Sequence, residues 1–232
     1  MRNAPSCDLS VVIAAFNAAD SIAPTLAALS EAKASMSIEI VVADGGSTDS
    51  TIAVAGAAGA IVLPGAKGRG RQLSAGAKAA RGRWLLFLHA DTVLEPFWSA
   101  TATTFMSLRS NVLRAGYFKL VLDDNARGAR RIERFANWRA RKLGLPYGDQ
   151  GLLMSRTLHD SLGGFSNIPL MEDVDIVRRI GREKLVELPA TATTSAQRYK
   201  HGGYTLRPLR NVSLLCLYFA GVPPRQLAKL YG

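Results

Sequence analysis

Two polar residues close an otherwise apolar run in LLFLHADT, residues Leu85 to Thr92. His89 and Asp91 stand where a buried strand would reach the carboxyl edge of a parallel sheet, the place at which open α/β folds hold ligands. A strand end that merely meets solvent is the plainer alternative. Asp44 in VVADGGSTDST ends another β-branched run, with acceptor oxygens placed for a base or a ribose. Gly45 and Gly46 let backbone approach a ligand closely, although the same residues could serve only to turn the chain into a capped helix. A third run ends at Phe16-Asn17, so three candidate ligand signals fall at one edge. Further on, PLMEDVDIVRRI crowds Glu172, Asp173 and Asp175 into four residues at a helix start, where the helix dipole stabilises negative charge. Carboxylates this close raise one another's pKa, which suits one of them to act as a base. Ordinary N-terminal helix charge is the alternative.

The elements that would position these residues alternate. LSVVIAAF from Leu9 reads as a buried strand, followed by helical spacing over Asp20 to Lys33 with Asp20 as N-cap. IEIVVAD is a second strand, and GGSTDSTIAVAGAAG turns into a second helix. AIVLP, QLSAGAKAARG and WLLFLHAD repeat the unit. Alternation of strands buried on both faces with helices predicts a parallel sheet with right-handed crossovers. After Asp91 the rhythm changes to a helix near Pro96 to Leu108, an alternating strand AGYFKLVL and a basic helix from about Asn125 to Leu143. The expectation is an α/β class, a Rossmann-like, mostly parallel sheet flanked by helices, with α+β additions.

Composition narrows the partners. The chain has 232 residues, 48% of them apolar, enough for one large core. A formal charge of +11 favours an anionic partner: nucleic acid, a phosphorylated small molecule or an acidic membrane surface. Cys7 and Cys216 suggest neither a disulfide framework nor a cysteine zinc site, so a cytoplasmic setting is expected. MRNAPSCD lacks the apolar block of a secretory signal, and Val212 to Val222 falls short of the ~20 residues that span a bilayer, so the chain reads as soluble or at most peripheral.

The segments SVVIAAFN, VVADGGSTDST, GRGRQLSAGAKAARGRWLLFLHADT and MEDVDIVRRI, in that order, resemble the motif series of the family-2 glycosyltransferases, which have the GT-A fold. The likeness runs from about Leu9 to Ile180. HADT, YGDQG and PLMEDVDIVRRI also look like a bacterial subgroup labelled for arsenosugar biosynthesis. The resemblance implies a single domain over 1–232, with a nucleotide-binding half at about 9–110, an acceptor half at about 111–200 and a helical tail at 201–232. It implies an inverting enzyme that moves a sugar from a nucleotide diphosphate sugar to a small or lipid-linked acceptor.

Glycosyl transfer from such a donor must neutralise a leaving diphosphate, which a carboxylate-held divalent cation does by Lewis acidity. In the family an Asp-x-Asp pair meets the ribose and the metal; here His89 replaces the first Asp, leaving Asp91 as the principal ligand for Mn2+ or Mg2+. His89 then contacts ribose, supports the metal site from behind, or is held by a neighbouring backbone group. His201, in RYKHGGY, falls near the position of a late metal ligand, with a structural or exposed histidine as the alternative. By similarity, Asp173 is the base and Glu172 its neighbour in the acceptor site. Donor contacts fall on Ala15, Phe16, Asn17, Asp44, Gly45, Arg71, His89, Ala90 and Asp91, with Asp149 and Gln150 of GDQG set for sugar or acceptor hydroxyls or else only forming a turn. Lys67 and Arg69, in the same glycine-rich loop as Arg71, could hold diphosphate or remain solvated. The Gln-x-x-Arg-Trp signature of processive synthases is missing, since QRYKH keeps only its glutamine, so a single transfer per encounter is expected.

The basic helix carries Arg127, Arg130, Arg131, Arg134, Arg139, Arg141 and Lys142, with Ile132, Phe135 and Trp138 expected nearer its other face. It reads as a solvated face or as an anionic membrane contact. Nucleic acid is not expected, because no aromatic platform is interleaved with the charges. The alternatives to an enzyme are a catalytically silent nucleotide- or phosphosugar-binding module and a basic membrane-associated adaptor.

Overall fold

Three β-branched runs and one leucine-rich run become strands: β1 at Cys7–Ala15, β2 at Ile38–Asp44, β3 at Ile61–Pro64 and, leucine-rich, β4 at Gly82–His89. The structure, a computed structural model, describes residues 7–231, with the backbone alone for His201 and Tyr231. Helices α1 (Ala19–Leu29), α2 (Thr51–Ala57) and α3 (Arg69–Ala79) connect these strands. Then follow β5 (Thr92–Leu94), α4 (Trp98–Ser107), β6 (Ala115–Leu122), α5 (Arg127–Leu143), β7 (Leu152–Ser155) and α6 (Arg156–Ser161). The chain continues through α7 (Glu172–Ile180), β8 (Leu185–Thr194), α8 (Gln197–Gly202), α9 (Leu206–Phe219) and α10 (Pro224–Tyr231).

One eight-stranded sheet, in the order β3-β2-β1-β4-β7-β6-β8-β5, runs through the whole described chain. β1, β2, β3 and β4 are parallel, while β7 runs antiparallel to both β4 and β6 and so inserts the second half into the sheet. Period-two alternation divides the core between the two faces. Leu9, Val11 and Ile13 of β1 and Trp84, Leu86 and Leu88 of β4 pack with α1 and α4. Val12, Leu85 and Phe87 point the other way, onto α3 and α7. The expectation of strands buried on both faces fails at β3: it is an edge strand with Ile61 exposed, and Pro64 fits there because an edge needs no donor on its open side.

Helix α1 starts at Ala19, and Asp20 lies in its first turn instead of capping it. The backbone N–H groups at its start donate instead across the fold: Ala18 to Thr51 Oγ1 at 2.8 Å and Ala19 to Asp49 Oδ2 at 3.1 Å. A 3-10 segment, Ser30–Ala34, extends the helix, so the predicted length is nearly recovered in two pieces.

Strand β7 covers β6 only at Ala115 and Gly116. Beyond that point the bare β6 edge is met by side chains. Asn137 accepts from Leu120 N at 2.9 Å and donates to Leu120 O at 3.0 Å, Glu133 accepts from Leu122 N at 2.7 Å, and Gln150 Nε2 donates to Phe118 O at 3.1 Å. Residues 118, 120 and 122 share one side of the strand, so these groups replace a missing ladder. Close approach of α5 is possible because its inward face otherwise carries Ala129, Ala136 and Ala140. That packing leaves no room for rings, and it corrects the predicted placement: Phe135 and Trp138 point outward with the arginines, not away from them. The apolar tail packs on the body through Leu214 and Leu215 of α9, and Arg178 lies over the Phe219 ring at 4.9 Å.

Candidate active site

The carboxyl ends of β1 and β4 open onto one cleft, and the loops after β1 and β2 beside it are braced by short polar contacts. Asn17 adopts a left-handed φ of 45°, its side-chain Oδ1 accepts from Thr48 N at 2.9 Å, and its backbone N–H donates to Ser47 Oγ at 2.9 Å. Asp44 accepts from Gly46 N and Ser47 N, each at 2.9 Å, and from the Ser47 hydroxyl. Gln72, in the first turns of α3, donates its amide to Ala15 O at 2.7 Å and Ala43 O at 2.8 Å, and accepts from Gly68 N at 3.2 Å. One buried side chain thus ties two strand ends to the start of a helix. Gly45 lies beneath that amide, where a Cβ would come 3.1 Å from Gln72 Nε2.

Ala15, Phe16, Asn17, His89, Ala90 and Asp91 line a cleft of about 620 Å³, as do Lys67, Arg69, Arg198 and Arg207. Lys67 sits over the Phe16 ring at 4.2 Å. An adjoining part of the cleft brings Asp91 together with Asp149, Glu172 and Asp173. Carboxylates separated by more than eighty residues in sequence therefore face a shared space. Asp173 is oriented there by two backbone donors, Gly148 N at 3.1 Å and Val174 N at 2.8 Å.

Charge in this wall is costly to bury. Glu172 is 2% exposed; burial, followed by the negative charge of Asp173, raises its pKa to about 7 even though Arg69 lies 3.3 Å away. Asp149 is raised to about 6, mainly by burial, and its Oδ1 is buried without a hydrogen-bond partner among the described residues. The His89 pKa is held well below the usual imidazole value by burial and then by the positive charges of Arg69 and Arg198, so the ring is neutral at pH 7. Its Nε2 is likewise unpaired, pressed on Gly148, where a Cβ would come within 2.3 Å. Tyr147 closes this side, with the buried Arg139 guanidinium 3.3 Å above its ring.

Several expected contacts do not reach the cleft. Asp44 is 1% exposed and its oxygens are occupied by its own loop, so it braces the rim. Gln150 is 0% exposed and its amide is taken by Phe118 O and by Tyr147 N at 3.4 Å, which makes it part of the β6 seal. Arg71 is exposed on the outer side of α3, whereas Arg69 and Lys67 of the same loop line the cleft. Asp175 is drawn away by Ser166 Oγ at 2.7 Å and Arg179 Nη2 at 2.5 Å. His201 belongs to α8, and its side chain lies outside the described residues. The sequence reading passed over Gln72 and Arg198. Gln72 carries no local signal, whereas Arg198 stands beside the glutamine of QRYKH.

A curled, mixed eight-stranded sheet with its ligand edge built this way is the GT-A architecture. The family model described as Glycosyl transferase family 2 matches residues 10–159, and the chain belongs to that family. Among curated proteins it is similar to the succinoglycan biosynthesis protein ExoO of Rhizobium meliloti (strain 1021), 35% identical over 94 residues, covering 38% of this chain and 27% of the relative. The chain thus spans about a quarter of that relative's length. Among solved structures it is similar to S. aureus TarS 1-349 in complex with UDP, with a TM-score of 0.62 at 18% identity, covering 83% of this chain and 62% of the other. It also resembles glucosyl-3-phosphoglycerate synthase from Mycobacterium tuberculosis in complex with Mn2+, UDP and glucosyl-3-phosphoglycerate, with a TM-score of 0.58 at 21% identity, covering 82% and 71%. At these identities the structural likeness speaks for the fold.

Proposed function

We propose that the chain transfers a sugar from a nucleotide diphosphate sugar to a small or lipid-linked acceptor, with inversion and one transfer per encounter. The observation that carries this reading is the shared cleft of Asp91 and Asp173, lined as well by Arg69, Arg198 and Arg207. The nucleotide occupies the half built by β1, β2 and β4, and the acceptor enters from the side of α7 and β7.

Asp173 takes the proton of the acceptor hydroxyl while that oxygen attacks the anomeric carbon, and the nucleoside diphosphate departs from the opposite face. Its two backbone donors fix the carboxylate in place without consuming its second lone pairs. Glu172 holds Arg69 at the cleft, where the guanidinium and Arg198 offset charge on the departing diphosphate.

The residues present fit a divalent cation. Asp91 presents a carboxylate to the cleft, and none of the described residues hydrogen-bonds to its side chain. Oxygen donors suit Mn2+ or Mg2+. No group of three His, Cys, Asp or Glu converges on a metal position among the described residues, so the diphosphate and water would complete the shell around Asp91. Such an ion supplies Lewis acidity to the diphosphate. No described helix is long and apolar enough to cross a membrane.

The test is Asp173→Asn. Turnover of sugar nucleotide in the presence of acceptor should fall by about 10²–10⁴-fold, while the donor still raises the thermal midpoint as it does in the wild type. Full activity in that variant removes Asp173 from the role of base. Failure of every nucleotide diphosphate sugar to stabilise the wild-type chain, with or without Mn2+, removes the whole reading.

A further inference from the structure

We propose that the outward face of α5 seats the chain on an anionic lipid bilayer. This inference goes beyond sugar transfer and stands on a part of the molecule away from the cleft.

Five cations, Arg127, Arg131, Arg134, Arg141 and Lys142, are exposed on α5. Their three- and four-residue spacing puts them on one stripe of the helix, roughly 25 Å long for 17 residues at the usual rise. Phe135 and Trp138 lie within that stripe, 45% and 46% exposed. Nothing on the helix neutralises it. The only acid of α5, Glu133, turns inward to Leu122 N and Arg130. Arg141 reaches Glu187 at 3.6 Å, and the other four cations form no ion pair among the described residues.

Exposed aromatic rings of this size are energetically poor in water unless something covers them. Their setting among unpaired cations identifies the cover. At a bilayer surface the guanidinium and ammonium groups meet lipid phosphates, while the rings enter the headgroup layer. Two other occupants fit less well. Single-stranded nucleic acid needs free ring faces along a positively charged groove, whereas these rings stack on one another, 5.9 Å apart at 27°, on the outside of a single helix. A second copy docking by twofold symmetry would set the same cations against themselves.

Tryptophan fluorescence tests the proposal directly. Of the three tryptophans, Trp84 and Trp98 are buried, at 9% and 0% exposure, so emission that responds to an outside surface comes from Trp138. Vesicles of phosphatidylcholine with about one third phosphatidylglycerol should shift that emission to the blue, and brominated acyl chains should quench it. Pure phosphatidylcholine should do neither, and raised salt should weaken the binding. Arg131→Gln and Arg134→Gln should each lower vesicle partitioning about fivefold. Both variants should keep the wild-type thermal midpoint and its rise with nucleotide sugar, which separates loss of docking from loss of fold or of donor binding. The proposal is overturned if anionic vesicles leave the emission unchanged or if the glutamine variants bind vesicles like the wild type. It is equally overturned if single-stranded oligonucleotide quenches Trp138 where vesicles do not, or if the stripe proves to be buried in a dimer in solution.

Discussion

The two walls of the cleft are built on opposite electrostatic terms. On the rim formed by β1, β2 and α3, nearly every polar group has its partner inside the protein: Asp44 with its loop, Asn17 with Thr48, Gln72 with two strand ends. On the wall formed by α7, the segment before β7 and the end of β4, polar groups are buried and incompletely answered, with Glu172 and Asp149 pushed toward neutrality and His89 Nε2 and Asp149 Oδ1 unpaired among the described residues. A satisfied rim holds its shape without ligand. An unsatisfied wall stores a cost that a bound, charged substrate can relieve, and strongly shifted groups in a cleft are where such relief is to be sought.

This contrast can be broken by substitution. The largest effect after loss of the base is expected at Asp91→Asn: turnover should drop by at least about 10²-fold, and the part of the donor-induced rise in thermal midpoint that depends on Mn2+ should vanish. A variant still stabilised by Mn2+ would show that the ion is held elsewhere. On the rim, Gln72→Leu removes the side-chain donor from Ala43 O and from Ala15 O, which keeps only Gly45 N at 2.8 Å, and should cost about 1–3 kcal/mol in denaturant unfolding. A smaller loss would mean that the strand ends hold together unaided.

Glu172 tests the wall through pH. Its folded pKa of about 7 lies above its ordinary 4.5, so the native state binds the proton more tightly. The stabilisation is complete below pH 4.5 and is lost as pH rises through 7, a swing of the order of 3 kcal/mol. Glu172→Gln should flatten that decline and leave the protein more stable than the wild type at pH 8, read as the difference between unfolding curves at pH 5 and pH 8. The smallest effect belongs to Asp44→Asn, which weakens charge-assisted bonds within one loop: about 1 kcal/mol of stability, with nucleotide affinity unchanged. A collapse of affinity there would place Asp44 against the ligand and erase the distinction between the two walls.

Much of the rim was legible because local rules build it. Strands buried on both faces announce themselves as short, largely apolar runs, and β1, β2 and β4 begin and end close to where those runs do. The polar residues after them follow from the same pattern, and Asp91, Glu172 and Asp173 line one part of the cleft. What escaped depends on helix phase and on long-range partners. Arg69 and Arg71 are two residues apart at a helix start and point in different directions, and only the position of Glu172 selects the first. Asp44 and Gln150 have the chemistry of ligand contacts, yet their lone pairs are already engaged by backbone that no spacing rule identifies. Helical spacing read around the arginines puts Phe135 and Trp138 nearer the opposite face. In the structure they point outward with the arginines, and the inner face is claimed by alanines and by two side chains that mimic a strand.

That mimicry has a consequence for solubility. Where β7 stops, β6 would otherwise offer a row of vacant amides to any passing chain, the starting point for intermolecular sheet growth. Asn137, Glu133 and Gln150 act as a plug. Their removal would expose an adhesive seam in the middle of the sheet, so the penalty for mutating them should be clumping on expression before any loss of chemistry.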